Sequence, residues 1–235
     1  LGIFGIALAT VLLPNLSGEH AKNEMKKFSS MMDWALRWVF VIAVPAAIGL
    51  AVLAIPILAT LFQYGEFTTY STIMTGKSLL AYSLGLPAFI LVKVFVTGFF
   101  SRQNTLTPVK IGAFAMLANI GLNFLLVGPL AHVGLALATS MSAILQAILL
   151  YWLLRKEDVY RPKPGWFKFS LQIIISVSTM ACFIHYTVAG SEEWFAWNMM
   201  QRIGQLTLGI MVGASCYISV LWVTGVRWQK MTTQY

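Results

Sequence analysis

The chain has 235 residues, of which 58% are hydrophobic and only 10% are charged, and its mean hydropathy is +0.77. Soluble globular domains carry about 25% charged residues, so this composition excludes that class and indicates a membrane protein. The net charge of +8 does not indicate a nucleic-acid partner, because the basic residues fall in alternate loops and form no patch interleaved with aromatic residues.

Long apolar stretches dominate the sequence. A bilayer core of about 30 Å requires about 20 helical residues, at 1.5 Å per residue. Six stretches reach that length: 38–62, 78–100, 111–130, 133–154, 169–189 and 203–226. A seventh, residues 1–13, is shorter and has no initiator methionine, so we interpret it as the end of a truncated transmembrane helix in a chain that lacks its upstream part. The sequence predicts an all-α polytopic membrane protein with six full transmembrane helices and the end of a seventh.

Residues 14–37 are predicted to form a cytoplasmic loop that contains one amphipathic helix. Pro14 is expected to end the first helix. The following residues place Phe28 and Met32 on one side, whereas three lysines and Asp33 populate the other. This pattern is typical of a helix lying in the membrane interface. The helix would act either as a linker between two bundles or as a lipid sensor.

The rest of the chain divides at its basic segments. Residues 38–154 supply four helices of a C-terminal lobe, 155–168 a basic, Pro-rich cytoplasmic linker, 169–226 a two-helix hairpin and 227–235 a tail. Alternate loops hold 13 basic residues against 2, and Lys93 is the remaining one of 16. The positive-inside rule therefore predicts that the basic loops and the C-terminus are cytoplasmic.

No catalytic or metal-binding pattern is found in the sequence. We assign all eight carboxylates to loops, Asp33 among them, so no buried acid is predicted for general acid–base chemistry. The three histidines and two cysteines show no metal-ligand spacing. The sequence predicts neither an enzyme, nor a cofactor, nor a metal site.

Lys93 is the one formal charge inside the predicted spans. A cation at that depth costs about 2.5–3.5 kcal/mol on insertion scales, which makes the residue a functional candidate. Two interpretations are open. The ammonium snorkels toward the cytoplasmic loop that holds Arg102, or it faces a cavity and binds an anion such as a phosphate.

Polar amides form the second candidate group. Asn119 and Asn123 are spaced i, i+4 on one face of a predicted span, and Gln146 lies in the next span. Amides at membrane depth face protein or water rather than lipid. They either hydrogen-bond between helices or line a substrate cavity, and both interpretations are open.

Two stretches match the pattern of a known family. Residues 2–17 read GIFGIALATVLLPNLS, and residues 99–111 read FFSRQNTLTPVKI. Both resemble the MurJ (MviN) lipid II flippases of the multidrug/oligosaccharidyl-lipid/polysaccharide exporter superfamily, whose cytoplasmic loop is usually written F-Y-A-R-x-D-T-R-T-P. Residues 133–140 and the Asn119/Asn123 pair also fit that family. The sequence departs from the loop pattern at Phe100, Ser101, Asn104 and Leu106.

The resemblance implies a fold, a substrate and a mechanism. Such flippases place two six-helix lobes around a cationic cavity for the pyrophosphate-sugar headgroup, and two further C-terminal helices form a groove for the polyprenyl tail. Residues 169–226 would be that hairpin. The chain would be the C-terminal part of an alternating-access flippase in the bacterial inner membrane, with lipid II, membrane lipids and the missing N-terminal part as partners. The expected substrate-binding residues are Lys93, Arg102, Asn119, Asn123 and Gln146.

Two other functions are alternatives to a lipid II flippase. An ion-coupled multidrug exporter of the same superfamily would need a membrane carboxylate, and none is predicted in this chain. A non-transporting scaffold for envelope synthesis would need a soluble binding surface, yet the predicted external loops are short. The sequence therefore favours transport of lipid II.

Overall fold

The computed structural model describes residues 2–188 and 191–225, apart from the side chains of residues 191 and 192. This part of the chain is helical and contains no strand. Leu1, Ala189, Val226 and the predicted tail 227–235 lie outside the described residues. The helices are α1 (Gly2–Ala21), α2 (Met25–Val52), α3 (Ala54–Phe62), α4 (Thr69–Ser83), α5 (Leu86–Phe100), α6 (Leu106–Lys156), α7 (Trp166–Thr187), α8 (Ser191–Ala196) and α9 (Met199–Val223).

Six helical segments of the described chain are long and apolar enough to cross a membrane. One of them, α6, has 51 residues. At 1.5 Å per residue it would be about 77 Å long, more than twice the bilayer core. Ala131 (φ 48°, ψ −129°) reverses the chain, and Ser142 Oγ donates to the Ala115 carbonyl at 2.7 Å between the two arms. Residues 106–130 and 132–156 therefore cross separately, as predicted, and the all-α polytopic fold class is confirmed.

The first two helices differ from the sequence prediction at their boundaries. α1 does not end at Pro14 but continues to Ala21, since a transmembrane helix tolerates a proline when its surroundings compensate for the lost hydrogen bond. The amphipathic stretch is helical, as predicted, but it is continuous with the following span. Its apolar residues Phe28 and Met32 are fully buried against protein. The stretch is therefore the first part of α2.

Buried apolar side chains form two clusters that share α2. The first cluster lies between α1, α2, α5 and the second arm of α6, and it includes Leu12, Met32 and Leu154. The second lies between α2, α7 and α9 and includes Val41 and Leu221. Within a bilayer, close dispersion contacts rather than the exclusion of water hold such helices together. α2 thus connects the main bundle to the C-terminal hairpin.

The helix break between α4 and α5 is held by the second arm of α6. α4 ends at Ser83, so the carbonyls of its last turn lack donors within the helix. Ser140 Oγ donates to the carbonyls of Ala81 (2.8 Å) and Tyr82 (3.3 Å) at this point. Gly85 lies against the same serine, and a Cβ on it would be 2.7 Å from the Ser140 Cα. Only glycine fits this contact.

We expect Gly85→Ala to destabilise the intact protein by about 1–3 kcal/mol, because the added methyl group overpacks a helix–helix contact. The measurement is the free energy of unfolding, or the melting temperature, in detergent. Gly121→Ala is the matched control, since a Cβ there meets no atom within 4 Å. A Gly85→Ala protein as stable as Gly121→Ala would contradict the packing described here.

Candidate functional site

α7 and α9 form an antiparallel hairpin that packs against α2, and an apolar cavity of about 460 Å³ lies between these three helices and the start of α3. We call it the hairpin groove. Its lining contains aliphatic side chains and the ring of one tyrosine. The lining residues include Pro45, Leu53, Met180, Ile184, Ala214 and Tyr217.

A proline and a tyrosine fix the geometry of the hairpin groove. Pro45 lies inside α2 and has no N–H, so the carbonyl of Val41, four residues earlier, loses its helical donor. The buried Tyr217 Oη of α9 donates to that carbonyl at 2.8 Å. The hydrogen bond satisfies the freed carbonyl and holds α9 against α2 at the level of the groove.

The small residues of α9 have two different roles. A Cβ on Gly209 would lie 2.7 Å from Val188 Cγ2, and one on Gly213 would lie 2.6 Å from Ile184 Cδ1. These glycines therefore allow α9 to approach α7 closely. Ala214 instead lines the hairpin groove. The hairpin thus combines tight helix packing with an open apolar surface.

Lys93 lies in α5 beside the first turns of α1. Its Cδ is 3.1 Å from the position of a Cβ on Gly5, and its Nζ donates to the Gly2 carbonyl at 3.3 Å. Helical side chains tilt toward the N-terminus of their helix, so the ammonium extends away from the loop that contains Arg102. The ammonium forms no ion pair with a described residue.

The predicted amides lie on the two arms of α6. Asn123 Nδ2 donates to Asn119 Oδ1 at 3.2 Å, while Asn123 Oδ1 is buried and has no hydrogen-bond partner among the described residues. Gln146 is half-buried on the other arm and faces Gly112, where a Cβ would be 3.6 Å from its Nε2. The first two amides therefore meet, and Gln146 lies further along the same pair of arms.

Arg102 lies in the loop between α5 and α6. Its guanidinium forms an ion pair with Glu157 at 2.8 Å, which joins this loop to the end of α6. Asn104, one of the departures from the family pattern, accepts a hydrogen bond from the Thr107 backbone N–H at 3.2 Å and stabilises the start of α6. Among the described residues, no hydrogen bond or ion pair joins Arg102 or Lys93 to the amides.

Asp33 is the main residue that the sequence interpretation placed wrongly. The sequence pattern predicts an exposed position in a cytoplasmic loop, but Asp33 lies in α2 with 1% of its surface exposed. Its Oδ1 accepts hydrogen bonds from Tyr160 Oη (2.9 Å), the Lys163 backbone N–H (3.1 Å) and Trp166 Nε1 (2.6 Å). Its Oδ2 accepts one from Arg37 Nε at 2.8 Å.

The Asp33 hydrogen bonds connect α2, the linker after α6 and the start of α7. Arg37 also stacks on the rings of Trp166 and Phe169, at 5.2 and 5.3 Å from the ring centroids. Burial raises the pKa of Tyr160, and the Asp33 carboxylate raises it further, so the phenol stays protonated and keeps donating. Both oxygens of the carboxylate accept hydrogen bonds, four in all, which is the arrangement of a structural anchor between these segments.

Arg202 is a second buried charge, and it lies directly before the predicted span 203–226, at a position where the sequence predicts a loop. It lies in the first turn of α9 and is 6% exposed. Its guanidinium donates to the carbonyls of Ala59 (2.8 Å) and Phe195 (3.3 Å). The Ala59 carbonyl belongs to the last turn of α3 and has no donor within that helix. Arg202 therefore caps α3 and ties α9 to it.

These features define a polytopic helical membrane protein with broken helices, a lysine at membrane depth and an apolar groove between helices. The family model described as lipid II flippase MurJ matches residues 1–204. The chain belongs to this family.

Similar proteins cover nearly the whole chain. It is 39% identical to a Haemophilus influenzae protein over 240 residues, covering 100% of this chain and 47% of that protein. It is 43% identical to a Vibrio cholerae protein over 229 residues, covering 97% and 43%. Both are named "probable lipid II flippase MurJ". The fold is similar to a solved structure named "lipid II flippase MurJ, inward closed conformation", with a TM-score of 0.75, 26% identity, and coverage of 96% and 45%. The chain spans about half the length of these relatives.

Proposed function

We propose that this chain supplies the C-terminal lobe and the C-terminal hairpin of a flippase that moves lipid II across the bacterial inner membrane by alternating access. The observation that carries the proposal is the family match over residues 1–204. Relatives of about twice this length contain a further half, which would complete the central cavity. The basic loops and the C-terminus would be cytoplasmic by the positive-inside rule.

The headgroup would be handled on the side of α5 that faces α1. Lys93 brings a positive charge to membrane depth, and none of the described carboxylates forms an ion pair with it. A pyrophosphate is a natural partner for an ammonium in surroundings of low dielectric constant. The amides Asn119, Asn123 and Gln146 would offer neutral hydrogen bonds to sugar or peptide groups. Arg102, which is already paired with Glu157, would shape the loop between α5 and α6.

The polyprenyl tail would occupy the hairpin groove. Its apolar lining and its volume of about 460 Å³ suit part of an isoprenoid chain, and the Tyr217–Val41 hydrogen bond keeps the groove open to a fixed width. Transport requires no catalytic group in this assignment. An ion-coupled exporter is less well supported, since both oxygens of the buried Asp33 carboxylate already accept hydrogen bonds from donors within the fold.

A chimeric protein tests the proposal directly. The N-terminal half of the Haemophilus influenzae relative would be joined to this chain, at the position where the similarity begins, and expressed in cells depleted of their own lipid II flippase. We expect the chimera to restore growth and lipid II export. A chimera that reaches the membrane in normal amounts but leaves lipid II inside would contradict the proposal.

Filling the hairpin groove is expected to weaken tail binding. We predict that Ala214→Phe lowers the affinity of the intact protein for lipid II about tenfold, or about 1.4 kcal/mol, because the ring occupies the space of the tail. Ser215→Phe adds the same ring on the neighbouring exposed face and should change the affinity by less than about twofold. The affinities would be measured by titration in detergent. Equal affinities for the two variants would show that the tail does not bind in this groove.

A further inference from the structure

A second apolar cavity, of about 360 Å³, lies on another side of α2. We call it the α2–α5–α6 cavity, after the helices that form its walls. Residues 159–166, the segment that leads into α7, close one end of it. The walls are formed by Leu36, Phe40, Leu91, Phe95, Ile148 and Tyr151.

The closing segment presents apolar groups to this cavity. Tyr160, Pro162 and Trp166 line it, and the polar side-chain atoms of the tyrosine and the tryptophan donate to Asp33. The segment is also tied to α2 through Ser29, whose Oγ accepts from the Arg161 backbone N–H at 2.9 Å. Val159 and Tyr160 are buried. The cavity therefore has a fixed, apolar end beneath the basic linker.

One wall of the cavity faces the membrane and leads to a pair of basic residues. Ile148 and Trp152 are 57% and 54% exposed on the second arm of α6. Arg155 follows Ile148 by seven residues, which places it on the same helix face about 10 Å further along. Lys156 Nζ lies over the Trp152 ring, 5.0 Å from its centroid. Tryptophan and lysine at a helix end are typical of the lipid headgroup boundary.

The basic pair is available to bind an anion. Within the described part of the chain, neither Arg155 nor Lys156 forms an ion pair. The two carboxylates that follow them are engaged elsewhere: Glu157 pairs with Arg102 at 2.8 Å, and Asp158 pairs with Arg161. The Arg161 guanidinium lowers the pKa of Asp158, with a smaller contribution from Arg155. Two positive charges thus stand at the headgroup level, directly beyond an apolar cavity.

We propose that the α2–α5–α6 cavity binds one acyl chain of an anionic phospholipid, whose phosphate contacts Arg155 and Lys156. The lipid comes from the leaflet on the side of the basic loops. A zwitterionic lipid would fill the cavity with the same chain but would gain less from the two cations. With two basic residues near the membrane surface, the preference for the anionic lipid is expected to be about tenfold or more. The site is separate from the hairpin groove and does not depend on lipid II transport.

Photo-crosslinking of the intact protein tests this site. The protein would be placed in phosphatidylcholine nanodiscs that contain a trace of phosphatidylglycerol with a diazirine in the middle of one acyl chain. We expect adducts on Phe95, Ile148 or Tyr151, and about tenfold fewer from a phosphatidylcholine probe with the same chain. The double variant Arg155→Gln/Lys156→Gln should lose the preference. Lys26→Gln/Lys110→Gln, an equal charge change at exposed positions, should retain it.

Three results would overturn the proposal. The first is equal labelling of these residues by the two probes. The second is labelling that the Arg155→Gln/Lys156→Gln variant leaves unchanged. The third is displacement of the probe by undecaprenyl phosphate at lower concentrations than by phosphatidylglycerol, which would assign the cavity to a polyprenyl chain. Ile148→Trp, which fills the cavity without changing charge, should abolish the adducts on Phe95. Because no readout involves flipping, a negative result leaves the proposed function standing.

Discussion

Replacing Asp33 with alanine is expected to cost the intact protein about 3–5 kcal/mol of stability, the range for removing one partner from a buried, hydrogen-bonded charge pair. Four donors from three segments would lose their acceptor. Arg37 would also be left beside α7 without its carboxylate. We expect a clear drop in melting temperature in detergent, together with faster proteolysis of the linker at 157–165, because its attachment to α2 would be lost.

Two further variants sharpen this test. Asp33→Asn keeps an acceptor oxygen for Tyr160 and Trp166 but removes the charge that Arg37 faces, so its stability should fall between those of the wild type and Asp33→Ala. Glu24→Ala removes an acid just before α2 that is half-exposed and pairs only with Lys27, and it should cost less than about 1 kcal/mol. A melting temperature for Asp33→Ala equal to that of Glu24→Ala would show that the hydrogen bonds of Asp33 contribute nothing to the stability of the protein.

Removing the charge of Lys93 is expected to have the largest effect on transport. A hydrogen bond to a charged group is worth about 1.5–3 kcal/mol, so Lys93→Met should lower the rate of lipid II flipping by about 10- to 100-fold. Methionine keeps most of the side-chain length that packs against Gly5, which separates the role of the charge from that of packing. Lys93→Arg keeps the charge and should be milder.

The control for Lys93 is Lys110→Met, which removes a positive charge from an exposed position near the start of α6. It should transport lipid II at close to the wild-type rate. Melting temperatures of both variants would be compared, since a loss of transport without a loss of stability is the expected signature. Full complementation by Lys93→Met would remove Lys93 from the binding site.

The architecture was predictable because it depends on a strong local signal. Each span is an apolar run long enough for the bilayer, and even the reversal inside α6 was visible as the break between 111–130 and 133–154. Helix ends were less predictable. Pro14 is a helix breaker in water, but α1 continues through it in a packed bundle. The amphipathic pattern predicted a helix correctly but could not show that its apolar side packs on protein.

The buried charges could not be predicted, because their partners are distant in sequence. Asp33 is 127 residues from Tyr160, and Arg202 is 143 residues from Ala59. Each charge lies just before the start of a predicted span, where the sequence leads one to expect a loop. One signal was present. Tyr160 and Trp166 flank the Pro-rich stretch 161–165 within the linker, and a buried tyrosine or tryptophan usually has a hydrogen-bond partner for its polar atom.

The candidate substrate-binding residues stay predictions. The structure gives their positions: Asn119 and Asn123 are hydrogen-bonded, Gln146 lies further along the same arms, and Lys93 contacts α1. Their faces would meet a substrate only together with the other half that longer relatives contain. The hairpin groove is different, since α2, α7, α9 and the start of α3 form its described walls within this chain.

The most direct test of the central claim is the location of lipid II when the intact protein is depleted from its own cell. The fraction of lipid II that is accessible to a labelling or cleaving reagent added from outside would be measured while synthesis continues. We predict that this fraction falls sharply and that total lipid II accumulates inside. An unchanged accessible fraction, with the protein fully depleted and no other flippase expressed, would contradict the assignment.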